Sequence, residues 1–320
     1  MRAFQIDAYN QAPVLRTIAA PDPGPGQVRL RIAACGLNFA DLLMMDGSYQ
    51  ERPVLPFTLG MEVSGTVEAL GDGVESLAIG TRVTVFSGLG GLADSGCFAA
   101  DRCLVLPDAM GFIDAAAFQV AYGTSHVALT HKARLQPGET LLVLGAAGGV
   151  GLTAVEIGKR LGARVIAVAR GAEKCAAARR AGADVAIDSS GDDLRGALRD
   201  AGGADVVFDP VGGDQFTAAM RATRPDGRIL LIGFASGKLP VLAANLLLVK
   251  NISVIGCYWG GYLTFRPEIL TSSLATLLGW YSTGTLHPHV SHVLPLERAA
   301  EALELLRSRA STGKVVVTME

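Results

Sequence analysis

The sequence predicts an α/β protein in which a doubly wound parallel sheet is joined to a second, β-rich domain. From about Phe118 onward, short apolar runs alternate with helical patterns, as expected for a parallel sheet covered on both faces. Before that residue the chain shows short strands separated by turns such as 21–26, without a repeated strand–helix rhythm. The 320 residues are about twice a typical domain length, which agrees with two domains.

Six apolar runs are the expected strands of the parallel sheet, the number found in a complete dinucleotide-binding sheet. They are residues 141–144, 164–168, 185–187, 205–208, 228–232 and 252–255, with helices at 150–161, 173–181 and 214–221. In the β-rich part the expected strands are 2–8, 28–34, 61–69 and 82–86, which indicate a partly open barrel. We therefore expect a first β-rich domain at 1–118, a nucleotide-binding domain at 119–258, and a segment at 259–320 that returns to the first domain. Its helix (298–306) and last strand (314–318) close the chain.

The composition excludes several classes of function. Lys and Arg total 28 against 30 Asp and Glu, so the net charge of −2 offers no basic surface for nucleic acid or an acidic membrane. The most apolar stretch, 239–257, is interrupted by polar residues and predicts a core helix followed by a strand rather than a membrane span. The partners expected are small molecules or further copies of the chain.

The cysteines and the first residues indicate the compartment. Five cysteines are scattered without disulfide or zinc-site spacing: Cys35, Cys97, Cys103, Cys175 and Cys257. The chain enters a strand-like alternation at once, so a signal peptide is not expected. A reduced, cytoplasmic protein agrees with both observations.

A glycine-rich turn is the strongest local signal for a ligand. The residues Gly145, Ala146, Ala147, Gly148, Gly149, Val150 and Gly151 follow a buried strand and open a helix. Glycine at 148 lets the backbone approach a pyrophosphate, and glycine at 151 lets the helix pack close to the strand. The helix N-terminus then offers free N–H groups to the phosphates. Ala146 replaces the first internal glycine of the G-x-G-x-x-G pattern, so the motif alone is moderately specific.

The residues after the second parallel strand favour NADPH over NADH. An NAD site needs a carboxylate about 20 residues past the first glycine, where this chain has Arg170, with Lys174 one helical turn further on. A guanidinium and an ammonium pair with a 2′-phosphate, which a carboxylate would repel. Glu173 is nearby but lies within the helix. The alternative is that Arg170 and Lys174 are ordinary solvated charges.

Several motifs together carry a resemblance to a known family. They are Gly36–Asp41 (GLNFAD), Pro56–Gly65 (PFTLGMEVSG), Tyr122–Thr124 (YGT), the loop ending at Gly151, Phe208–Gly213 (FDPVGG) and Gly313–Val317 (GKVVV). Over essentially its whole length the chain resembles the zinc-lacking quinone oxidoreductases of the medium-chain dehydrogenase/reductase family, which includes zeta-crystallin. The resemblance implies a Rossmann domain inserted into a GroES-like catalytic domain that is built from both chain ends.

The chain departs from the zinc-dependent relatives at the metal site. Those relatives carry cysteine where Asn38 stands and histidine where Met61 stands, and the third ligand position falls near Ala116 or Ala117. Amide, thioether and methyl groups of this kind do not form a zinc site. We therefore expect no metal, and hydride transfer to an acceptor that spreads the incoming charge itself, namely a quinone or an α,β-unsaturated carbonyl.

The resemblance also implies roles for residues around the nicotinamide. Asn38 is expected beside the nicotinamide and substrate, Thr124 at the nicotinamide end, and Tyr49 at the substrate mouth, as a proton donor or as a residue packed for shape. Asp41 and Glu62 are expected to be structural. Further cofactor or pocket candidates are Gly233, Phe234, Ala235, Tyr258, Trp259 and the segment 209–213. Ser189 stands where some relatives have a tyrosine at the adenosine side, and Arg309 and Lys314 are weaker candidates for the phosphate region.

The sequence leaves three functions open. The leading one is an NADPH-dependent quinone reductase that works without a metal. The second is a reductase of enones or enoyl thioesters, and the third is a non-catalytic NADPH-binding protein of structural or regulatory function. The last apolar strand, 252–256, would lie at an open sheet edge beside the apolar run 246–249, so we also expect a homodimer that pairs these edges, unless the loop 260–266 caps them.

Overall fold

The computed structural model describes residues 1–319. The strands are β1 Arg2–Ile6, β2 Val14–Thr17, β3 Gln27–Leu37, β4 Phe57–Thr58, β5 Glu62–Leu70, β6 Arg82–Phe86, β7 Ser95–Ala99, β8 Cys103–Val105, β9 Thr140–Val143, β10 Arg164–Ala169, β11 Val185–Asp188, β12 Ala204–Asp209, β13 Thr223–Leu231, β14 Ser253–Gly256, β15 Val290–Pro295 and β16 Lys314–Thr318. The helices are α1 Phe39–Met45, α2 Phe112–Ala116, α3 Gln119–His126, α4 Gly149–Arg160, α5 Ala172–Arg180, α6 Leu194–Asp200, α7 Gly213–Ala222, α8 Ala244–Lys250, α9 Tyr262–Phe265, α10 Pro267–Ser282 and α11 Ala299–Arg307.

The chain divides into two compact units. The first unit contains Met1–Val120 and the residues from Tyr281 onward, and the second contains Ala121–Trp280. The first unit is thus built from both ends of the chain around an inserted second unit. Each helix within residues 1–319 is either too short or too polar to span a membrane.

The first unit is β-rich, as the sequence predicts. Its larger sheet has the order β15-β16-β3-β5-β6-β8, with β7 also paired to β3, and a smaller sheet has the order β2-β1-β4. The long strand β3 is central, because β5 and β16 both pair with it antiparallel on opposite sides. Fully buried side chains such as Leu30, Val63 and Val317 form one core with helix α11.

The second unit contains a six-stranded parallel sheet of order β11-β10-β9-β12-β13-β14. Counted from β9 as the first strand, this is the order 3-2-1-4-5-6 of a Rossmann sheet, in which the connections reverse between the first and fourth strands. The central strands are apolar on both faces, and Leu142, Ile166 and Val207 lie side by side in register. The prediction of a Rossmann unit beside a GroES-like β-rich unit is confirmed.

The second unit extends further along the chain than the sequence suggests. We expected the return segment to start at residue 259, whereas the unit continues through α10 to Trp280. The buried face of α10 explains the difference: Ser273 hydrogen-bonds His126 at 2.8 Å, and the rings of His126 and Trp280 meet edge to face at 5.2 Å. Leu274 and Leu277 are buried on the same helix.

The prediction of a core helix within 239–257 is wrong. Helix α8 has no buried residue, and Leu248 and Val249 are 77% and 70% exposed. The strand that follows it, β14, starts at Ser253, and Ile252 instead packs into the core of the unit. Leu246 and Leu247 of this helix pack partly against the core of the unit, and its other large apolar residues, Leu248 and Val249, remain exposed.

Candidate active site

Asn38 occupies a sharp junction in the first unit. Strand β3 ends at Leu37, Asn38 has extended backbone angles (φ −127°, ψ 153°), and helix α1 begins at the next residue. The carboxylate of Asp41 accepts the backbone N–H of Asn38 at 2.8 Å, as the third residue of a helix does in a capping box. This bond fixes the backbone of Asn38 where the strand turns into the helix.

Three neighbouring strands bring Lys314 and Glu62 to Asn38. In the sheet, Gly36 of β3 pairs with Glu62, the first residue of β5, and Leu37 pairs with Val315 on the other side. Lys314 is the first residue of β16. The three side chains therefore meet at the end of β3, although Lys314 is 276 residues from Asn38 in the chain.

The side chains of this group are joined by a hydrogen-bond network. The ammonium of Lys314 donates to Asn38 Oδ1 at 2.8 Å and also to Glu62 Oε1. The amide nitrogen of Asn38 donates to the same carboxylate oxygen of Glu62 at 3.0 Å. The second oxygen, Oε2, accepts the N–H of Val120 at 2.9 Å, in the first turn of α3. Both carboxylate oxygens of Glu62 thus accept hydrogen bonds from residues of the first unit.

The network is almost closed to water. The side chains of Lys314 and Glu62 are 6% and 0% exposed, and Asn38 is half-buried. A buried carboxylate and ammonium persist only when each is paired and hydrogen-bonded, as they are here. Burial also raises the pKa of Asp41 to about 7, although the hydrogen bond from the Asn38 backbone opposes the rise. The sequence suggested Lys314 for the phosphate region, and the structure instead places it in this buried ion pair.

The residues of this group do not fit a zinc ion. Met61 is buried, and the third position of the zinc-dependent relatives falls near Ala116, whose carbonyl oxygen would lie 1.9 Å from a Cβ added at Gly36. Within residues 1–319 no group of three His, Cys, Asp or Glu side chains could hold a metal ion. The polar groups available are an amide, an ammonium and carboxylates that already bind one another.

Tyr49 and Arg309 are in the first unit but not in this network. Tyr49 follows α1 and its partly buried ring packs against the core of the unit. Arg309 is exposed in a left-handed turn (φ 57°) after α11. Their proposed roles as a mouth residue and as a phosphate ligand stay predictions.

The glycine-rich turn of the second unit has the geometry of a phosphate-binding loop. Gly145 has a left-handed backbone (φ 56°), and α4 begins directly after Gly148. A Cβ at Gly151 would lie 2.2 Å from the carbonyl oxygen of Gly145 and 2.8 Å from Ala146 Cα, so only glycine lets the helix approach the loop. A Cβ at Gly148 would meet nothing closer than 3.4 Å. Glycine at 148 is therefore not required by the fold, which agrees with a role in close approach to a ligand.

The ends of β10 and β11 carry the charged side chains that the sequence proposes for nucleotide selection. Arg170 is exposed and Lys174 half-exposed at the start of α5, and Ser189 follows β11 with its N–H bonded to Ala169 O at 2.9 Å. Asp188 adds a carboxylate here, but its Oδ1 accepts the N–H of Gly171 at 2.8 Å, which holds its pKa below the usual range. The strand ends thus carry the cationic side chains of Arg170 and Lys174 and one carboxylate, that of Asp188, which also interacts electrostatically with Arg170.

The loops after β12 and β13 are tied together at the carboxyl edge of the sheet. The N–H of Ala235 donates to Pro210 O at 3.0 Å, and Gly233 and Phe234 lie in the same loop. The carboxylate of Asp209 accepts N–H groups of the following turn at 2.7 and 2.8 Å, and its Oδ2 has no hydrogen-bond partner within residues 1–319. Burial raises the pKa of Asp209, a feature that its place in the FDPVGG motif did not reveal.

Thr124 and Trp259 belong to neighbouring parts of the second unit. A Cβ at Gly123 would lie 2.7 Å from the indole of Trp259, so α3 packs directly on this ring. Thr124 and Trp259 are both buried, whereas Tyr258 is 40% exposed. The structure thus packs α3, at Gly123, against the predicted pocket residue Trp259 and leaves Tyr258 at the surface.

These features define a two-unit oxidoreductase with a Rossmann nucleotide site and a GroES-like unit without zinc ligands, and the comparisons agree. Residues 24–108 match the alcohol dehydrogenase GroES-like domain, and residues 149–274 match the family described as zinc-binding dehydrogenase. Quinone oxidoreductase-like protein 2 from Mus musculus is 38% identical over 100% of this chain and 92% of its own length. The chain belongs to the medium-chain dehydrogenase/reductase family, in its quinone oxidoreductase branch.

Two solved structures show the same architecture. The Escherichia coli quinone oxidoreductase complexed with NADPH has a TM-score of 0.92 and 30% identity, covering 99% of this chain and 100% of that one. The quinone oxidoreductase from Thermus thermophilus, also described with its NADPH complex, has a TM-score of 0.88 and 33% identity over 100% of both chains.

Proposed function

We propose that the protein is an NADPH-dependent quinone reductase that transfers a hydride without a metal. The observation that carries the proposal is the side-chain network around Asn38, whose amide stands where zinc-dependent relatives have a cysteine ligand and is hydrogen-bonded to Lys314 and Glu62. Such a site has no Lewis acid to stabilise the alkoxide of a simple alcohol or ketone. A quinone delocalises the negative charge that it receives, so it needs less stabilisation from the protein.

The second unit supports NADPH as the hydride donor. The Gly145–Gly151 loop fits a pyrophosphate, because Gly148 is exposed beside the first turn of α4 and has no side chain to block a ligand there. Arg170 and Lys174 fit a 2′-phosphate. Bound NADPH would supply the hydride; the contribution of the chain is to bind and orient both reactants and to exclude water. The NADPH complexes of the two related quinone oxidoreductases agree with this choice.

A steady-state acceptor panel tests the proposal. Consumption of NADPH is followed by its absorbance with 1,4-benzoquinone, naphthoquinones, 2-alkenals, enones and crotonyl-CoA. We expect the highest kcat/KM with a quinone. A higher value with an enone or with crotonyl-CoA would assign the protein to reductases of activated double bonds instead. Binding of NADPH without turnover of any acceptor would indicate the non-catalytic alternative.

A further inference from the structure

The amide of Asn38 is held in one orientation. Its Oδ1 faces the Lys314 ammonium at 2.8 Å, and its Nδ2 lies 3.0 Å from Glu62 Oε1 and 3.3 Å from Gly36 O. If the amide were turned over, its NH2 group would face the ammonium and its oxygen would face the carboxylate and the carbonyl. All these contacts would then be repulsive, so the charges of Lys314 and Glu62 select one of the two orientations.

This orientation leaves Asn38 without a hydrogen-bond donor for a bound molecule. An asparagine amide has two N–H groups, and both are engaged, one with Glu62 and one with Gly36. Its oxygen has two lone pairs, of which Lys314 uses one. The side chain can therefore accept a further hydrogen bond but cannot donate one unless it breaks a contact with a buried carboxylate.

We propose that Lys314 and Glu62 are positioning residues that make Asn38 an acceptor-only group of the active site. Asn38 then accepts a hydrogen bond from an N–H or O–H group of a bound molecule and gives no support to the carbonyl oxygen that is being reduced. Acceptors that delocalise their own charge are favoured over isolated ketones for this reason. The inference rests on the proposed reductase function for its consequence in catalysis, but not for the orientation itself.

A double-mutant cycle tests the action of Lys314 through Asn38. We expect Lys314→Met to lower kcat/KM for the best acceptor at least tenfold, and Asn38→Ala to lower it as well. In the Asn38→Ala background the added Lys314→Met change should cost less than twofold, because its target is gone. If the loss of kcat/KM in the double variant equals the product of the losses in the two single variants, Lys314 acts independently of Asn38. That result would overturn the proposal.

Two further variants separate positioning from folding. Lys314→Met leaves a buried carboxylate unpaired, so Lys314→Met/Glu62→Gln removes both charges. The introduced carbonyl can accept from Asn38 Nδ2 or from the Val120 N–H, but not from both. We expect this double variant to recover part of the lost kcat/KM. Lys159→Met is the control, because Lys159 pairs with Asp184 at 2.9 Å on the surface of the second unit and should leave kcat/KM unchanged. A loss in the control as large as that in Lys314→Met would also contradict the proposal.

The orientation can be measured without any turnover. The chain has only four asparagines, and Asn10, Asn245 and Asn251 are exposed. In protein labelled with 15N-asparagine, the side-chain signal lost in Asn38→Asp identifies Asn38. We expect its NH2 hydrogens to exchange with solvent at least tenfold more slowly than those of the other three, and faster after Lys314→Met/Glu62→Gln. Equal exchange at all four would overturn the proposal, whereas slow exchange in a protein that reduces no acceptor would reject only the reductase function.

Discussion

Lys314 donates a hydrogen bond to Asn38 at 2.8 Å, across a strand pairing that joins the last strand of the chain to the third. The side chain of Asn38, next to the end of β3, therefore has its full set of hydrogen bonds only when strand β16 is paired with β3. The same ammonium pairs with Glu62 at the start of β5. Three segments from different parts of the chain thus converge on one amide, and the loss of any of them would release it.

Cofactor choice should depend on Arg170 and Lys174. Each charge-assisted contact to a phosphate is worth roughly 1.5–3 kcal/mol, and less at exposed side chains such as Arg170. Replacing both residues with alanine should raise the KM for NADPH at least tenfold and change that for NADH little. Steady-state kinetics with the two cofactors measures the effect, with the exposed Arg199→Ala as the control. Equal effects on both cofactors would reject the 2′-phosphate assignment.

Two glycines of the phosphate-binding loop should respond differently to alanine. In Gly151→Ala the added Cβ would collide with backbone atoms of Gly145 and Ala146, which should destabilise the fold by roughly 1–3 kcal/mol. In Gly148→Ala the Cβ has room in the protein, so the melting temperature should stay within a degree or two while the affinity for NADPH falls about tenfold or more. Thermal unfolding and fluorescence titration with NADPH separate the two effects. Unchanged NADPH affinity in Gly148→Ala would show that the loop does not contact the cofactor.

The parallel sheet could be predicted from the sequence because it depends on local patterns. The predicted strands of this sheet, and the predicted helices that correspond to α4, α5 and α7, agree with the structure to within a residue or two, apart from β13, which starts at Thr223 instead of Arg228. Helix α6, between β11 and β12, is not among the predicted helices. The strand pairings that bring Lys314 to Asn38 connect residues far apart in the chain, and no local pattern encodes them. The prediction of a core helix at α8 is also wrong. An apolar run indicates that its side chains are covered, but it does not show whether the same chain or another molecule covers them.

The stability of the first unit should depend on the protonation of Asp41. Burial raises its pKa from 3.8 to about 7, so the folded protein binds this proton more tightly than the unfolded chain. This proton stabilises the folded state by on the order of 2–4 kcal/mol. The stabilisation is complete below about pH 4 and is lost as the pH rises through 7. In Asp41→Asn this loss should be absent, and the amide oxygen can still accept the Asn38 N–H.

The comparison of unfolding free energies at pH 5, 6, 7 and 8 tests this expectation. The difference between Asp41→Asn and the unchanged protein should grow in favour of the variant as the pH rises. Asp46→Asn, at the exposed end of the same helix, should show a constant difference. Parallel pH profiles for Asp41→Asn and the unchanged protein would mean that Asp41 titrates normally in the folded state.

Activity should not require a metal ion. Asn38 and Met61 offer no zinc site, and the nearby charged groups are already paired with each other. Dialysis against EDTA or phenanthroline should leave kcat and KM unchanged, and elemental analysis should find far less than one zinc per chain. Stoichiometric zinc whose removal abolishes turnover would reject the metal-free mechanism.

We propose that two copies of the chain pair along β14. Within residues 1–319, β14 is the last strand of the sheet and pairs only with β13, so no strand of the loop 260–266 caps it. An open edge beside the exposed apolar residues Leu248 and Val249 is a surface that proteins normally cover. Pairing of two such edges about a two-fold axis would cover the edge of β14 in both copies.

Light scattering at micromolar concentration measures the assembly. The unchanged protein should have twice the mass of one chain. Leu248→Glu combined with Ser253→Glu should reduce it to one, because charges of the same sign would have to be buried together in the seam between the copies. Ser253 is the better probe on the strand, since Ile252 is buried in the unit's own core and a charged side chain there would disturb folding. Ile79→Glu, which alters a similarly exposed apolar residue of the first unit, should leave the mass unchanged. A monomeric unchanged protein would show that the edge of β14 stays unpaired in solution.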